Sequence, residues 1–491
     1  MAKFLFSLLV SVLLGYVVTS LMCPRVLCGR ATVALRSCLA FALGSGISSC
    51  WFLCWLCFSG THNSYLYTFS LPELAVAATV SLGYFLFCRR RHPPEVQRPT
   101  QRTERQNLVE KFVSAILLLA VLSAFASFIL ISLNTPHGDF DAVSTWNLRA
   151  RFLARGSSHW RDGFVDSPSL PHPDYPLLLP ATIARCWKYV GSEAVLVPIV
   201  VAFLFTFSSV GLLCTSLAIL RNRQIGYSAG IVLLGVYSFV AVGASQYADV
   251  VVGFFVLATI VLLALCDTAN VRNNAGFLML AGIVAGLCAW TKNEGLLFLS
   301  LLVVIRFVLS VSQEGWKLAS REVVYIAIGA LPVLAIVAYF KFGVAPANYY
   351  LTVGHYSDVG PMKYFLEPGT VTQKLMDVSR YKLIAKTMAS EVVHLGGRTI
   401  GIAPFLLLYL WSAKFRRKSI ASVQTGIALL AMMMVGYFFV YLTTPLNPAF
   451  HLRTSLLRLL MQLWPASVFV LFMAASSVTT FEPDPLTESR P

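Results

Sequence analysis

The chain has 491 residues, of which 57% are hydrophobic and only 12% charged, and its mean hydropathy is +0.72. Soluble domains carry roughly 25% charged residues, so a water-soluble globule, a disordered chain and a nucleic-acid-binding module are all excluded. The net charge of +16 is divided among clusters that lie between apolar runs, a pattern that orients helices in a membrane rather than building a polyanion-binding face.

A helix that crosses a bilayer needs about 17 to 25 mostly apolar residues. Runs of that kind lie near 4–20, 38–58, 71–88, 111–133, 194–220, 226–244, 250–266, 276–290, 295–310, 322–341, 399–413, 420–443 and 456–476. They predict an all-α polytopic membrane protein with about thirteen transmembrane helices. The chain then divides into an N-terminal three-helix transmembrane extension (1–88), a cytoplasmic basic linker (89–111) and a transmembrane core (112–341) that includes an outer loop at 134–193. A second outer loop (342–398), C-terminal transmembrane helices (399–476) and a cytoplasmic tail (477–491) complete it. The first run has only Lys3 ahead of it and no small-residue cleavage site, so it reads as a membrane helix rather than a signal peptide. Nearly all of the 11 cysteines fall inside apolar spans, which excludes a disulfide framework. Cys50, Cys54 and Cys57 share one helical face, but no His or carboxylate accompanies them; they read as small buried hydrophobes.

Lys and Arg in short connections resist translocation. Placing Arg89, Arg90, Arg91, Arg98, Arg102, Arg105 and Lys111 inside, and alternating from there, also puts Arg221, Arg223, Arg272, Lys317, Arg321 and the Lys414 to Lys418 cluster inside. Both long polar stretches, 134–193 and 342–398, then face outward, as do the connections at 246–249, 291–294 and 443–455. Every motif with chemical character faces the same compartment.

The first of these motifs follows directly on the span 111–133. Asp139 and Asp141 stand two residues apart at a membrane surface, where desolvation and mutual repulsion favour a cation or a proton. The segment after them is helical in pattern: Trp146, Ala150 and Leu153 share one face, while Asn147, Arg151 and Arg155 recur every four residues on another. Such a helix would lie along the surface, its Arg stripe suited to phosphate. The plain alternative is a capping Asp followed by a solvated basic face. Farther along the loop, three prolines at 171, 173 and 176 hold His172, Asp174 and Tyr175 in an expected extended, rigid backbone.

Two boundary clusters come next. Asp249 opens a helix after Gln246 and Tyr247, and Lys292 with Glu294 turns between two short apolar runs; ionisable groups at such depth pair with each other or with a ligand. The final connection carries His451 and Arg453, and Arg458 stands inside the last span, where a guanidinium needs an anionic partner or a route to the interface.

On these residues, over roughly 112–476, the chain resembles the GT-C class of membrane glycosyltransferases. The similarity is to bacterial proteins like the family-39 protein mannosyltransferases, the aminoarabinose transferase of lipid A and the RgtA/B/C/D-like group. Asp139-Phe140-Asp141 occupies the place of the acidic motif that opens the family's first large outer loop, and Trp146, Ala150, Arg151 and Gly156 resemble the helix that follows it. His172 to Pro176 looks like the family's proline motif, Tyr247-Ala248-Asp249 like its second acidic position, and Thr291-Lys292 like its Thr-Lys step. Mannosyltransferase-like members have Glu directly after the catalytic Asp, where this chain has Ala142. The Asp-x-Asp spacing is closer to metal-using oligosaccharyltransferases, which makes Asp139 and Asp141 candidates for a divalent cation, Mg or Mn; no other cofactor is implied.

The resemblance implies transfer of a sugar from a polyprenyl phosphate donor to an extracytoplasmic acceptor hydroxyl on a lipid, glycan or protein, with inversion. It places the chain in a bacterial cytoplasmic membrane with the site on the periplasmic side. Asp141 is then the expected general base, with Asp139 or Asp249 orienting the acceptor or a cation. Arg151, Lys292, Arg453 and Arg458 are the expected phosphate contacts, and His172, Asp174, Tyr175, Glu294 and His451 the remaining substrate-binding residues. The reading from another class is a secondary transporter or lipid flippase that uses Asp249, Lys292 and Glu294 as an ion path. Transporters show paired broken helices in related halves, and the sequence has no such halves.

Overall fold

The computed structural model describes residues 1–23, 30–58, 70–71, 73–79, 82, 104–155, 157–167, 170–268, 275–347, 365–367, 369–395 and 421–475. Within them the chain is helical, with one isolated bridge between Leu366 and Leu446. Nine helices are long and apolar enough to cross a membrane among the described residues, or ten if one bent pair counts as a single span. The expected spans agree with α1 (Ala2–Met22), α2 (Arg30–Phe58), α3 (Glu104–Asn134) and α6 (Leu196–Leu220). They agree further on with α9 (Ala248–Thr268), α11 (Asn293–Glu314), α12 (Trp316–Gly343), α15 (Ala421–Thr443) and α16 (Pro448–Ala474).

The count falls short of thirteen for identifiable reasons. The run near 226–244 is two helices, α7 (Arg223–Leu234) and α8 (Tyr237–Ala244), bent by 67° at Gly235 and Val236. The run near 276–290 is α10 (Ala275–Thr291), 17 residues long and nearly all buried. At 1.5 Å per residue it is about 26 Å long, short of the ~30 Å hydrocarbon core; neighbouring helices, not lipid, surround it. The expected span at 399–413, the cluster 414–418, half of 71–88, most of the basic linker and the tail lie outside the described residues.

Between the spans sit shorter helices. After a π-helical turn at Ala142–Trp146 come α4 (Asn147–Arg155), a 3-10 turn at Ser157–Phe164 and α5 (Leu178–Val190). The stretch after α12 holds α13 (Val371–Met376), opened by a Thr370–Gln373 capping box, and α14 (Val378–Val393), capped by Asp377. Arg380, Ile384 and Met388 recur every four residues as the buried face of α14, the stripe a one-sided helix requires.

α10 and α12 cross so closely that side chains are excluded at the contact. A Cβ on Gly282 would stand 2.1 Å from the Ile326 carbonyl oxygen, and one on Gly329 would stand 2.0 Å from that of Met279. Packing between small residues is a main source of helix association in lipid. Gly282→Val is expected to cost about 1 to 3 kcal/mol through overpacking, visible as a lower thermal midpoint of the detergent-solubilised protein, whereas Val304→Ala, at an exposed position, should leave the midpoint in place.

The N-terminal helices belong to the same packed body. α2 packs on α5 and α6, and α1 packs on α5. The buried Arg185 of α5 donates from Nε to Glu73 at 2.8 Å and from Nη2 to the Ser7 carbonyl at 3.2 Å; the Tyr189 hydroxyl reaches the other Glu73 oxygen at 2.7 Å.

Helix ends define two poles. The starts of α9, α11 and α16 and the ends of α3, α10, α12 and α15 gather at one pole, and all the sequence motifs above lie there. At the other, Arg306 of α11 is held by Asp267 of α9 (2.7 and 3.2 Å) and Glu322 of α12 (2.9 and 3.1 Å), and Ser310 also donates to Glu322 at 2.7 Å. This buried triad fixes the far ends of three helices whose near ends carry Asp249, Asn293 and Lys341.

Candidate functional site

The acidic motif is set in place by its backbone. Gly138 takes φ +78°, and a Cβ there would meet Ala142 at 2.5 Å and the Ser245 carbonyl at 2.8 Å, so glycine is demanded twice over. Asp139 N–H donates to that Ser245 carbonyl at 3.3 Å. Asn147 donates to the His137 carbonyl at 3.1 Å and to Gln246 Oε1 at 2.9 Å, while Gln246 Nε2 donates to the Pro136 carbonyl at 3.0 Å. Gln246 itself has φ +61°. A non-glycine residue there costs about 1 to 3 kcal/mol and persists only where surroundings dictate it. These bonds lace the Asp139–Asp141 turn to the Tyr247–Asp249 turn, about a hundred residues away in sequence.

Across that seam run the ion pairs. Asp141 pairs with Arg458, whose guanidinium lies over the Tyr247 ring at 4.8 Å. Asp249 pairs with Lys292 at 3.0 Å, and Lys292 with Glu294 at 2.9 Å. Gln462 donates to Asp249 at 2.6 Å and accepts from the Tyr437 hydroxyl at 2.8 Å. Exposure falls along this chain of groups: the Asp141 side chain is 33% exposed and Arg458 19%, but Lys292 only 8% and Asp249 2%. Asp141 is therefore at the mouth, and Asp249 and Lys292 form its floor. Burial of that pair is tolerable because each charge has an opposite partner and further hydrogen bonds. The Tyr247 phenol is pushed up by burial and by the nearby Asp141 carboxylate, and it hydrogen-bonds Asp139, so it stays protonated as a donor.

The proline motif closes the cluster from above, with a geometry other than the expected extended one. His172 adopts φ +52°, and Tyr175 N–H donates back to its carbonyl at 3.1 Å, making a turn. Arg149 holds the Pro171 carbonyl at 2.5 Å. His172 stacks on Tyr175 with ring centroids 4.5 Å apart, Tyr175 stacks on Trp146 at 5.6 Å, and Lys292 lies over Tyr175 at 5.5 Å. Stacking of flat rings favours the turn over the extended form. Burial, and then the positive charges of Arg149, Lys292, His451 and Arg458, drive the His172 pKa well below its usual value, so its imidazole is neutral. Asp174 accepts from Asn293 at 2.8 Å and from Lys341 at 3.2 Å, and Lys341 also reaches Asn293 at 2.6 Å.

Asp139, Asp141, His172, Asp174, Tyr175, Asp249, Lys292, Glu294 and Arg458 thus form one continuous cluster. His451, whose Nδ1 is 3.1 Å from the Thr444 hydroxyl, borders it. Two expected residues lie elsewhere. Arg151 is 3.3 Å from Glu193, which also holds Arg155 at 2.5 Å, and Arg453 is exposed on the outer side of α16. Residues to which the motifs assigned no role take part as well: Arg149, Gln246, Tyr247, Asn293, Lys341 and Gln462. A polar Gln462 inside the last apolar span and a Lys341 at the end of another were the available signals, since polar side chains at such depth need partners.

Asp139 and Asp141 do not converge as a metal ligand pair: one meets Tyr247 and the Phe140 N–H at 2.7 Å, the other Arg458. Among the described residues no three His, Cys, Asp or Glu side chains are grouped to hold a metal ion. With Asp141 taken up by Arg458, these two carboxylates do not by themselves make a divalent-cation site.

No protein-family model matches this chain, and no curated protein and no solved structure matches it either. A half-exposed carboxylate next to a guanidinium, above a buried lysine, can take a proton from one ligand group and neutralise an anion on another.

Proposed function

We propose that the chain is a polytopic membrane glycosyltransferase of the GT-C kind, moving a sugar from a polyprenyl phosphate donor to an acceptor hydroxyl. The observation that carries this reading is the juxtaposition of half-exposed Asp141 with Arg458, floored by Asp249 and Lys292. In such a transfer the bond from the sugar anomeric carbon to the phosphate oxygen breaks while a bond to the acceptor oxygen forms, and the hydroxyl proton passes to Asp141. The phosphate oxygen leaves as an anion without protonation. The protein's work is to neutralise that charge and remove one proton. Arg458 and Lys292 serve the first need, Asp141 the second, and Asp139 and Asp249 orient. Direct displacement inverts the anomeric centre. The distribution of Lys and Arg between the apolar runs supports a site on the extracytoplasmic face of a bacterial cytoplasmic membrane, with α4, α13 and α14 along its surface.

One observation favours the transport reading: α7 and α8 form a broken helix that leads straight into Gln246 and Asp249. One bent pair among the described residues is not the paired arrangement of transporters. Incubating the purified chain with a panel of polyprenyl phosphate sugars and a bacterial membrane extract separates the two. Sugar transfer that survives chelation of divalent cations is the expected result; uptake of a solute into proteoliposomes with no transfer would replace the transferase by a transporter.

A further inference from the structure

We infer that Arg458 is the anion-receiving centre of the site and that Asp141 holds its place until a lipid-borne phosphate arrives, so phosphate binding comes first and uncovers the carboxylate. The inference rests on the transferase reading and adds an order of events to it.

The cations near the mouth are not equivalent. Lys292 is committed to Asp249 and Glu294, and Arg151 and Arg155 to Glu193. Arg149 is buried behind the proline turn. Arg458 alone among these combines partial exposure with spare capacity. One terminal nitrogen meets Asp141, while its buried Nε has no hydrogen-bond partner among the described residues. A guanidinium presents its donors as a planar fork that matches two phosphate oxygens at once. The Tyr247 face holds the plane of that fork, and the charge of Asp249 keeps Arg458 anchored when Asp141 turns away.

Asp141 is suited to being displaced. It is the more exposed partner, and it follows the Gly138 turn with the π-helical turn just beyond it, a wide helical geometry common where side chains are re-aimed at functional sites. While paired, its Oδ2 is taken up by the Arg458 guanidinium and is not free to receive a hydroxyl proton. Exchange of carboxylate for phosphate on Arg458 therefore switches on the base only when a donor is seated.

The test uses the full-length protein in nanodiscs of neutral lipid, with sugar-free polyprenyl phosphate as the probe. Asp141→Asn leaves Arg458 without its competitor and is expected to bind the probe about tenfold tighter than the unaltered chain, a typical size for coupling between two ligands of one group. Arg458→Gln should lose the binding. Equal affinity of the Asn variant and the unaltered chain would overturn the exchange and leave the transferase reading standing; no binding by any of the three would overturn both. A second measurement needs no variant. Carbodiimide labelling of Asp141, read by peptide mapping, should rise several-fold when polyprenyl phosphate is added. Unchanged labelling contradicts the proposal. So does an equal rise with phosphatidylglycerol alone, which would make the contact a response to bulk anionic lipid.

Discussion

Replacing Asp141 by Asn is expected to lower sugar transfer by about 10²- to 10⁴-fold, the usual worth of a positioned general base, while leaving the protein folded. The two halves of this expectation have separate physical grounds. Asn keeps the size and hydrogen-bonding reach of Asp but cannot accept the acceptor's proton. The fold should barely notice, because the Asp141–Arg458 pair is partly exposed and such pairs contribute about 0 to 1 kcal/mol. Gel filtration and thermal unfolding in detergent check the fold, and transfer from a polyprenyl phosphate sugar checks the chemistry. Full activity in the Asn variant would remove Asp141 from the reaction. Asp249→Asn is the informative companion: Asp249 is buried and holds Lys292 and Gln462, so its loss should damage folding and transfer together.

The second large effect lies at the opposite pole. Arg306→Leu is expected to destabilise the protein by about 3 to 5 kcal/mol, the cost of stranding buried charge when one partner of an ion pair is removed. Here two carboxylates, Asp267 and Glu322, depend on one guanidinium through four hydrogen bonds. A fall in the unfolding midpoint of roughly 3 to 5 °C would follow from an unfolding entropy of about 2.1 cal/mol/K per residue over a chain of this size. The triple variant Arg306→Leu, Asp267→Asn, Glu322→Gln should recover most of the loss, since neutral isosteres remove the stranded charge. If the triple variant were as unstable as the single one, packing volume rather than charge would be the cause.

Much of the framework could be read from the chain alone. Apolar run length locates the long helices, and polar residues at their ends locate the site. What periodicity could not supply is rotational phase. Arg453 and Arg458 are five residues apart on α16, hence about 140° apart around it, so only one of them can face the bundle, and composition does not say which. Arg149 and Arg151 on α4 pose the same choice, sharpened by the π-helical turn before it, which widens the helix and shifts the phase of everything after. His172 shows a different limit. Its flanking prolines favour an extended backbone, but the ring stack with Tyr175 and Trp146 involves Trp146, far along the chain, and outweighs that local preference. The 67° break at Gly235 and Val236 sits inside an uninterrupted apolar run, where hydropathy has no resolution.

The Glu73–Arg185 contact bears on how the molecule is made. Arg185 belongs to the polar stretch that carries the proline motif, yet its carboxylate partner and the Ser7 carbonyl come from segments more than a hundred positions earlier in the chain. Those earlier segments are synthesised before α5 and hold the partners it docks against. A shortened chain lacking those segments would leave the buried Arg185 guanidinium without its carboxylate and could not be expected to stand in for the longer one.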